Sequence, residues 1–331
     1  VETVHFTRIA GDEALPERAP GGVVVIGNFD GVHQGHAGVL ADAHRFASAA
    51  GGLEVRALTF DPHPATVFGR VAPATLTALA RKAELLRAAG ADGVFVRTFD
   101  RAFSEHTPEQ FARTLLAGVL RARVVVVGEN FRFGHGRAGD FETLRELGAA
   151  LGFDTHAASL RGDAGGPFSS TRARAAIAAG DLPAAEHVLG RPHAFSGVVA
   201  HGAERGRTLG FPTANVADVV ELVPPDGVYA VSVDRLAGPN DTATPLAGGV
   251  MNVGVRPTIA SGPPQRTHEV HLFDFEGDLY GARLRVHVLQ RLRGERKFAG
   301  LDELRAQIAR DAEAARVILA GSTPGASPRT S

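Results

Sequence analysis

Two histidines three positions apart, His33 and His36, bracket Gly35 in the run Asn28-Phe29-Asp30-Gly31-Val32-His33-Gln34-Gly35-His36. The run follows the aliphatic stretch Val23-Gly27 and precedes a helical pattern from about Ala37 to Ala49, so it reads as a turn from a buried strand into a helix. Such a turn gathers free backbone N–H groups and the positive end of a helix, which suits a phosphate. The spacing puts both imidazoles on one face of the first helical turn, within reach of one phosphate, and Gly35 lets that group approach the backbone. Asp30, His33 and His36 could instead hold a metal, and the run could be a purely structural turn. Gly35 and the strand-to-helix setting favour the anion.

A second run of interest is Gly202-Ala203-Glu204-Arg205-Gly206-Arg207-Thr208-Leu209-Gly210-Phe211-Pro212-Thr213-Ala214-Asn215. Gly202, Gly206 and Gly210 allow a loop with its amides turned inward, and Arg207 adds charge, so the stretch can wrap a polyphosphate without a Walker-type lysine. Thr213 and Asn215 offer hard neutral oxygens of the kind that suit Mg²⁺ held mainly by nucleotide phosphates and water. An ordinary glycine-rich turn is the plain alternative.

The elements that must position these runs differ between the two halves. Upstream, short aliphatic strands (Val23-Gly27, Leu53-Phe60, Val94-Val96, Val124-Gly128, Phe153-Ala157) alternate with helical patterns, as in a parallel sheet covered by helices. Thr107-Pro108-Glu109-Gln110 carries a capping box with Pro at the first helical position, and its apolar face continues through Phe111, Leu115, Leu116 and Val119. Ser170 or Thr171 is expected to cap a helix running to about Ala179 and ended by Gly180. Beyond about Gly190 the texture changes to strands with Gly/Pro turns: Phe195-Ala200, Gly227-Val233, Gly248-Val253, Glu269-Phe275 and Leu284-Leu289, an all-β barrel. Residues 238–245 read as a loop. Leu301, Leu304, Ile308, Ala312, Ala315 and Leu319 then recur at helical spacing. The boundary is expected between Ala185 and Arg191, giving domains 1–186 and 187–320 and a disordered tail 321–331 rich in Gly, Ser, Thr and Pro.

With 331 residues the chain has room for about two domains, each with its own core. The 35 basic and 36 acidic side chains nearly cancel, and there are only two Tyr and no Trp for base stacking, so small anionic ligands are expected rather than nucleic acid. The absence of Cys excludes disulfides and thiolate chemistry. The polar first twenty residues and the shortness of the aliphatic runs lead to the expectation of a cytoplasmic protein without a membrane segment.

The run G-N-F-D-G-V-H-x-G-H resembles the H-x-G-H signature of the nucleotidyltransferase superfamily, and its longer form is similar to the adenylyltransferase module of prokaryotic bifunctional riboflavin kinase/FAD synthetases. Thr59-Phe60-Asp61-Pro62-His63-Pro64, Gly128-Glu129-Asn130-Phe131-Arg132-Phe133-Gly134 and the helix-opening Ser169-Ser170-Thr171-Arg172-Ala173-Arg174 agree with that module, and all three are expected just beyond the carboxyl ends of strands, where such sheets bind ligands. Downstream, G-x-x-x-G-R-x-L-G-F-P-T-A-N resembles the riboflavin kinase signature. So do Pro225-Asp226-Gly227-Val228-Tyr229, Asn252-Val253-Gly254-Val255-Arg256-Pro257-Thr258, Thr267-His268-Glu269-Val270-His271 and Asp274-Phe275-Glu276-Gly277-Asp278-Leu279-Tyr280-Gly281. The resemblance spans about residues 20 to 312.

The resemblance implies a Rossmann-like nucleotidyltransferase domain followed by a kinase barrel and a C-terminal helix, with ATP and Mg²⁺ used and riboflavin, FMN and FAD as substrates or products. It places Gly27, Asn28, Phe29, Asp30, Gly35, Asn130, Ser170, Thr171, Arg174, Gly202, Gly206 and Arg207 at nucleotide. His63, Pro64, Asn252, Gly254, Arg256, Arg293 and Phe298 would border flavin, with Arg293-Phe298 as a mobile flap. His33 and His36 would serve adenylyl transfer, and Thr213 and Asn215 the Mg²⁺. Glu269 is the residue chosen as general base, because phosphorylating an alcohol requires removing its proton. Some members carry a basic residue just before Ser-Ser-Thr, where this chain has Gly165-Gly166-Pro167-Phe168, a departure that bears on triphosphate grip. The alternatives kept open are an N-terminal site using another nucleotide, such as CTP, and a flavin-binding regulatory protein with degenerate sites.

Overall fold

The computed structural model describes residues 6–9, 21–201, 211–238, 242–256 and 265–321. Two compact units emerge, residues 1–73 with 79–169, and residues 74–78 with 170–331.

The first unit is built on a six-stranded sheet of β1 (Thr7–Ile9), β2 (Val23–Ile26), β3 (Val55–Asp61), β4 (Gly93–Thr98), β5 (Val124–Gly128) and β6 (Asp154–Ala158). Every neighbour pairs parallel, in the order β1-β4-β3-β2-β5-β6. Central strand β2 is apolar throughout because both of its faces are covered. Val23 and Val25 join the core beneath α1 (Gln34–Ala49) and α2 (Leu79–Ala88), while Val24 and Ile26 join the opposite core with Phe111–Val119 and α3 (Phe141–Leu151). Each of these side chains is at most 4 % exposed, and burying each contributes roughly 1.5–3 kcal/mol. β1 is a short edge strand of Thr-Arg-Ile, too brief and polar to read as apolar alternation.

The expected capping box is present: Gln110 N–H donates to Thr107 Oγ1 (3.2 Å) and Thr107 N–H donates to Gln110 Oε1 (2.9 Å). The segment then continues as a π-helix over Phe111–Val119, still burying Phe111, Leu115, Leu116 and Val119. Thr107→Ala removes one of these bonds and is expected to destabilise the first unit by about 1 kcal/mol, measurable by denaturant unfolding.

In the second unit β9 (His193–Ala200), β10 (Ala214–Ala217), β11 (Gly227–Ala237), β12 (Thr242–Arg256), β13 (Gln265–Leu272) and β14 (Arg283–Arg293) close a barrel in the order β10-β13-β12-β11-β14-β9. Its interior holds Phe195, Tyr229, Met251, Val253, Val270 and Val286. The C-terminal helix packs on the barrel through Ala312, Ala315 and Leu319, with Ala315 wholly buried and Gly248 leaving room for Leu319.

Residues 242–245 are not the loop expected from sequence. They extend β12, with Ala237, Leu236, Arg235 and Asp234 of β11 paired to Thr242, Ala243, Thr244 and Pro245. Pro245 argues against a strand by itself, but it sits where the register shifts between Val233 and Asp234, the kind of irregularity that accepts a residue without an N–H. The helices α4 (Ser170–Ala179) and α5 (Leu182–Leu189) cluster with the barrel unit, upstream of the 185–191 boundary expected from sequence, because Leu182 enters the barrel core. Helix α4 already begins at Ser170, so Ser170 and Thr171 form its first turn, and Gly180 ends it in the left-handed conformation (φ 77°). The C-terminal helix, α6, spans Leu301–Gly321. The tail expectation for 322–331 lies outside the described residues.

Candidate active sites

The β2–α1 turn is held in an unusual backbone path. Phe29 and Val32 adopt positive φ (49° and 38°) beside Gly31 (85°), and Val32 N–H donates to Phe29 O (3.1 Å). Thr59 Oγ1 donates to Asn28 O (3.1 Å), fastening the turn to β3. Strain of this sort persists only where the surroundings enforce it, and it concentrates at functional loops. Here Phe29, 2 % exposed, is driven into the core beneath Gly27, so its ring anchors the turn.

His33 is the N-cap of α1, and its Nδ1 accepts the N–H of His36 (3.3 Å). In a neutral ring an accepting Nδ1 leaves Nε2 as the N–H donor. The two imidazoles stack at 3.6 Å between centroids, and Phe29 meets His36 edge-on at 5.1 Å. A Cβ on Gly35 would lie 2.9 Å from both His33 Nδ1 and Phe168 O, so glycine is required for this packing. Asp30 is buried; burial lowers the pKa of the half-buried Lys82 of α2, and the charges of Asp30 and Asp61 oppose that shift. No sequence signal marked Lys82.

A cleft of about 640 Å³ opens beside this turn. Of the expected residues it gathers Gly27, Asn28, His63, Pro64 and Asn130; His33, His36, Asp30 and Gly35 are not in its wall. Phe60, Phe131, Arg132 and Phe133 also line it, within the two runs that sequence placed just beyond strands, whereas Phe68, Arg70, Phe99, Phe103 and Arg137 were missed from sequence. These residues lie far apart in the chain, and only β3, β4 and β5 ending at one edge brings them together. Among the described residues, no Asp or Glu lines the cleft. His63 caps a short helical turn, its Nδ1 accepting from Ala65 N–H (3.2 Å). Ser170, Thr171 and Arg174 belong to the other compact unit, where Arg174 Nε donates to Ala74 O (2.6 Å).

The barrel carries a second cleft of about 650 Å³, which gathers Thr213, Asn252, Glu269, Arg293 and Phe298 with Phe211, His271, Glu295 and Lys297. Strand pairing explains the convergence. Asn215 of β10 is opposite Glu269 of β13, which is opposite Asn252 of β12, itself opposite Val228 of β11, and that residue is opposite Arg293 of β14. Laterally paired residues share a face, so one row round the barrel collects these groups from five strands. Their chain neighbours Val216, Val253 and Val270 fill the interior.

Thr213 is held near this row by His271, whose Nδ1 bonds to Pro212 O (2.9 Å) and whose ring meets Phe211 at 5.3 Å. The expected flap is tethered at both ends. Arg293 Nε bonds both oxygens of buried Asp311 (3.2 and 3.0 Å), which also accepts from Gln307 (2.7 Å). Arg296 pairs with Glu303 and lies 4.6 Å over Phe298, and Ala299 N–H donates to Glu303 (2.9 Å). Gly254 leaves space that the Glu295 carboxylate occupies. Gly202, Gly206 and Arg207 lie outside the described residues, as does the Arg256 side chain.

A FAD synthetase family model matches residues 15–172, and a riboflavin kinase family model matches residues 189–319. The chain is 44% identical over 297 residues to the bifunctional riboflavin kinase/FMN adenylyltransferase of Escherichia coli strain K12, covering 89% of this chain and 92% of that one. The chain belongs to the bifunctional riboflavin kinase/FMN adenylyltransferase family. Its counterpart in Bacillus subtilis is 35% identical over 320 residues, covering 95% and 97%. A solved chain from Streptococcus pneumoniae, described as a macrolide-efflux protein, shares the architecture at TM-score 0.81 and 28% identity, covering 95% and 99%. That description belongs to the streptococcal protein; among the described residues here no helix is long and apolar enough to cross a membrane. As in the family, the parallel α/β domain precedes the barrel, and each carries one of the clefts.

Proposed function

We infer that the two clefts divide the family's two reactions between them. The barrel domain transfers the γ-phosphoryl group of ATP to the ribityl 5′-hydroxyl of riboflavin, giving FMN and ADP. The α/β domain joins FMN to the adenylyl group of a second ATP, giving FAD and pyrophosphate. The observation that carries this division is the chemistry of the two walls. The first has arginines, histidines and phenylalanines without a carboxylate, which fits an aromatic acceptor that is already an anion. The second sets Glu269 beside neutral oxygens, which fits an acceptor that must lose a proton.

In the first reaction Glu269 accepts the hydroxyl proton as the oxygen attacks the γ-phosphorus and ADP departs. Thr213 Oγ1 and Asn215 Oδ1 fit a hard divalent ion: both are neutral oxygens, and the pairing of Asn215 with Glu269 puts one beside the base. Bound Mg²⁺ would offset phosphate charge there. Asn252, Gly254, Arg293 and Phe298 border the flavin, and the nucleotide role expected of Gly202, Gly206 and Arg207 and the flavin role expected of Arg256 fall on groups outside the described residues.

In the second reaction an FMN phosphate oxygen attacks the α-phosphorus of ATP and pyrophosphate leaves. No base is needed; the task is to hold two anions together and stabilise charge as it develops on the α-phosphate. His33, His36 and the start of α1 supply donors, Gly27, Asn28, Phe29, Asp30, Gly35 and Asn130 shape the nucleotide site, and His63 and Pro64 border the flavin. Ser170, Thr171 and Arg174 are assigned to ATP phosphates. A cytoplasmic setting belongs to the same proposal, since ATP is the donor in both steps.

Chromatography of flavins after incubating purified protein with riboflavin and Mg-ATP tests the reading. FMN is expected first and FAD second, and FMN incubated with Mg-CTP in place of Mg-ATP is expected to yield no cytidylyl flavin. Retained flavin without turnover, or a cytidylyl product, would overturn it.

A further inference from the structure

Helix α1 presents Gly35, Gly38 and Asp42 along one stripe, at i, i+3 and i+7. The segment 161–168 lies against that stripe. It is a hairpin of β7 (Gly162–Asp163) and β8 (Gly166–Pro167), closed at its base by Phe168 N–H donating to Arg161 O (2.9 Å). Both ends of the base touch α1. Phe168 O sits where a Cβ on Gly35 would be, at 2.9 Å, and the Arg161 side chain crosses Gly38 so closely that a Cβ there would meet Arg161 Cγ at 2.4 Å. Arg161 NH2 then reaches Asp42 Oδ1 at 3.0 Å. The Asp42 side chain is only 4 % exposed, and a carboxylate so enclosed needs its charge met; Arg161 and Arg45 (2.5 Å) do so.

The first turn of α1, which carries His33 and His36, is thereby braced by a hairpin that is itself locked two turns further along the helix. We propose that Arg161, through its ion pair with Asp42, is a positioning residue for FMN adenylylation: it holds the hairpin against α1 and so fixes the stacked imidazoles at the helix start. Arg161 acts through His36 and touches no reacting atom. The inference rests on the reading of His33 and His36 as the adenylyl-transfer donors. Because those donors act on charge that develops in the transition state, loosening them lowers kcat rather than raising KM.

The test uses the full chain, with its riboflavin kinase step as the internal reference. Arg161→Ala is expected to lower kcat for FMN adenylylation about tenfold with KM for FMN and ATP within about twofold, and to leave riboflavin phosphorylation unchanged. Arg161→Lys, which still brings a cation to Asp42, recovers most of the loss. Gly38→Ala forces Arg161 aside and gives a similar loss, but adds nothing to Arg161→Ala, since the methyl then has no side chain to meet. A lowered unfolding temperature with kcat unchanged, or additive losses in the double variant, would overturn the proposal. His36→Ala run in parallel separates the two failures. If it is impaired and Arg161→Ala is not, only the positioning role falls; if neither is impaired, the reading of the site falls with it.

Discussion

His36→Ala is expected to lower kcat/KM for FMN adenylylation by about two to three orders of magnitude, roughly 3–4 kcal/mol of transition-state stabilisation, while riboflavin phosphorylation stays within about twofold. The acceptor phosphate is already charged, so the barrier lies in bringing it against a second anion and in stabilising the charge that builds on the α-phosphate. Imidazole donors at a helix start do both. Substitution by alanine removes one of the pair, and it also strips His33 of the ring stacked at 3.6 Å that orients it. The His36 amide that holds His33 Nδ1 remains, so the turn itself survives. Initial rates of each half-reaction measure the effect.

Glu269→Gln is expected to have the opposite signature, slowing riboflavin phosphorylation by about 10²–10⁴-fold and sparing FMN adenylylation. Glutamine keeps the shape of the side chain and its place in the row between Asn215 and Asn252, but it cannot take the proton of the attacking hydroxyl. A small effect would leave Glu269 a half-buried strand residue without a chemical role and return the proton transfer to solvent. Initial rates of FMN formation from riboflavin at saturating Mg-ATP measure it.

Much of this was legible in the sequence where chemistry and periodicity coincide. The strand-turn-helix around His33 and His36 and the Thr107 capping box follow local rules, and the structure follows them; the strand expected over Glu269-Phe275 is present but lies earlier, over Gln265–Leu272. What the residues did not announce depends on chain segments meeting. Phe68, Arg70, Phe99, Phe103 and Arg137 of the first cleft come from separate stretches of chain and read singly as core or surface, unlike Phe60, Phe131, Arg132 and Phe133, which stand in runs already placed beyond strands. The pairing of Asn215, Glu269 and Asn252 requires the barrel register, which no single strand encodes. Pro245 hid the first residues of β12 because its tolerance there depends on an irregularity in the pairing with β11. Arg161 carries no local signal, because its partners Gly38 and Asp42 are brought to it only by the fold.

The separation of the two reactions is tested most directly by one chromatographic time course of flavins from riboflavin and Mg-ATP, run on both single variants. The His36→Ala protein should convert riboflavin to FMN and stop. The Glu269→Gln protein should leave riboflavin untouched until FMN is added, and then carry that FMN on to FAD. FAD appearing at the parent rate from His36→Ala, or added FMN left unconverted by Glu269→Gln, would contradict the assignment of each reaction to its own cleft.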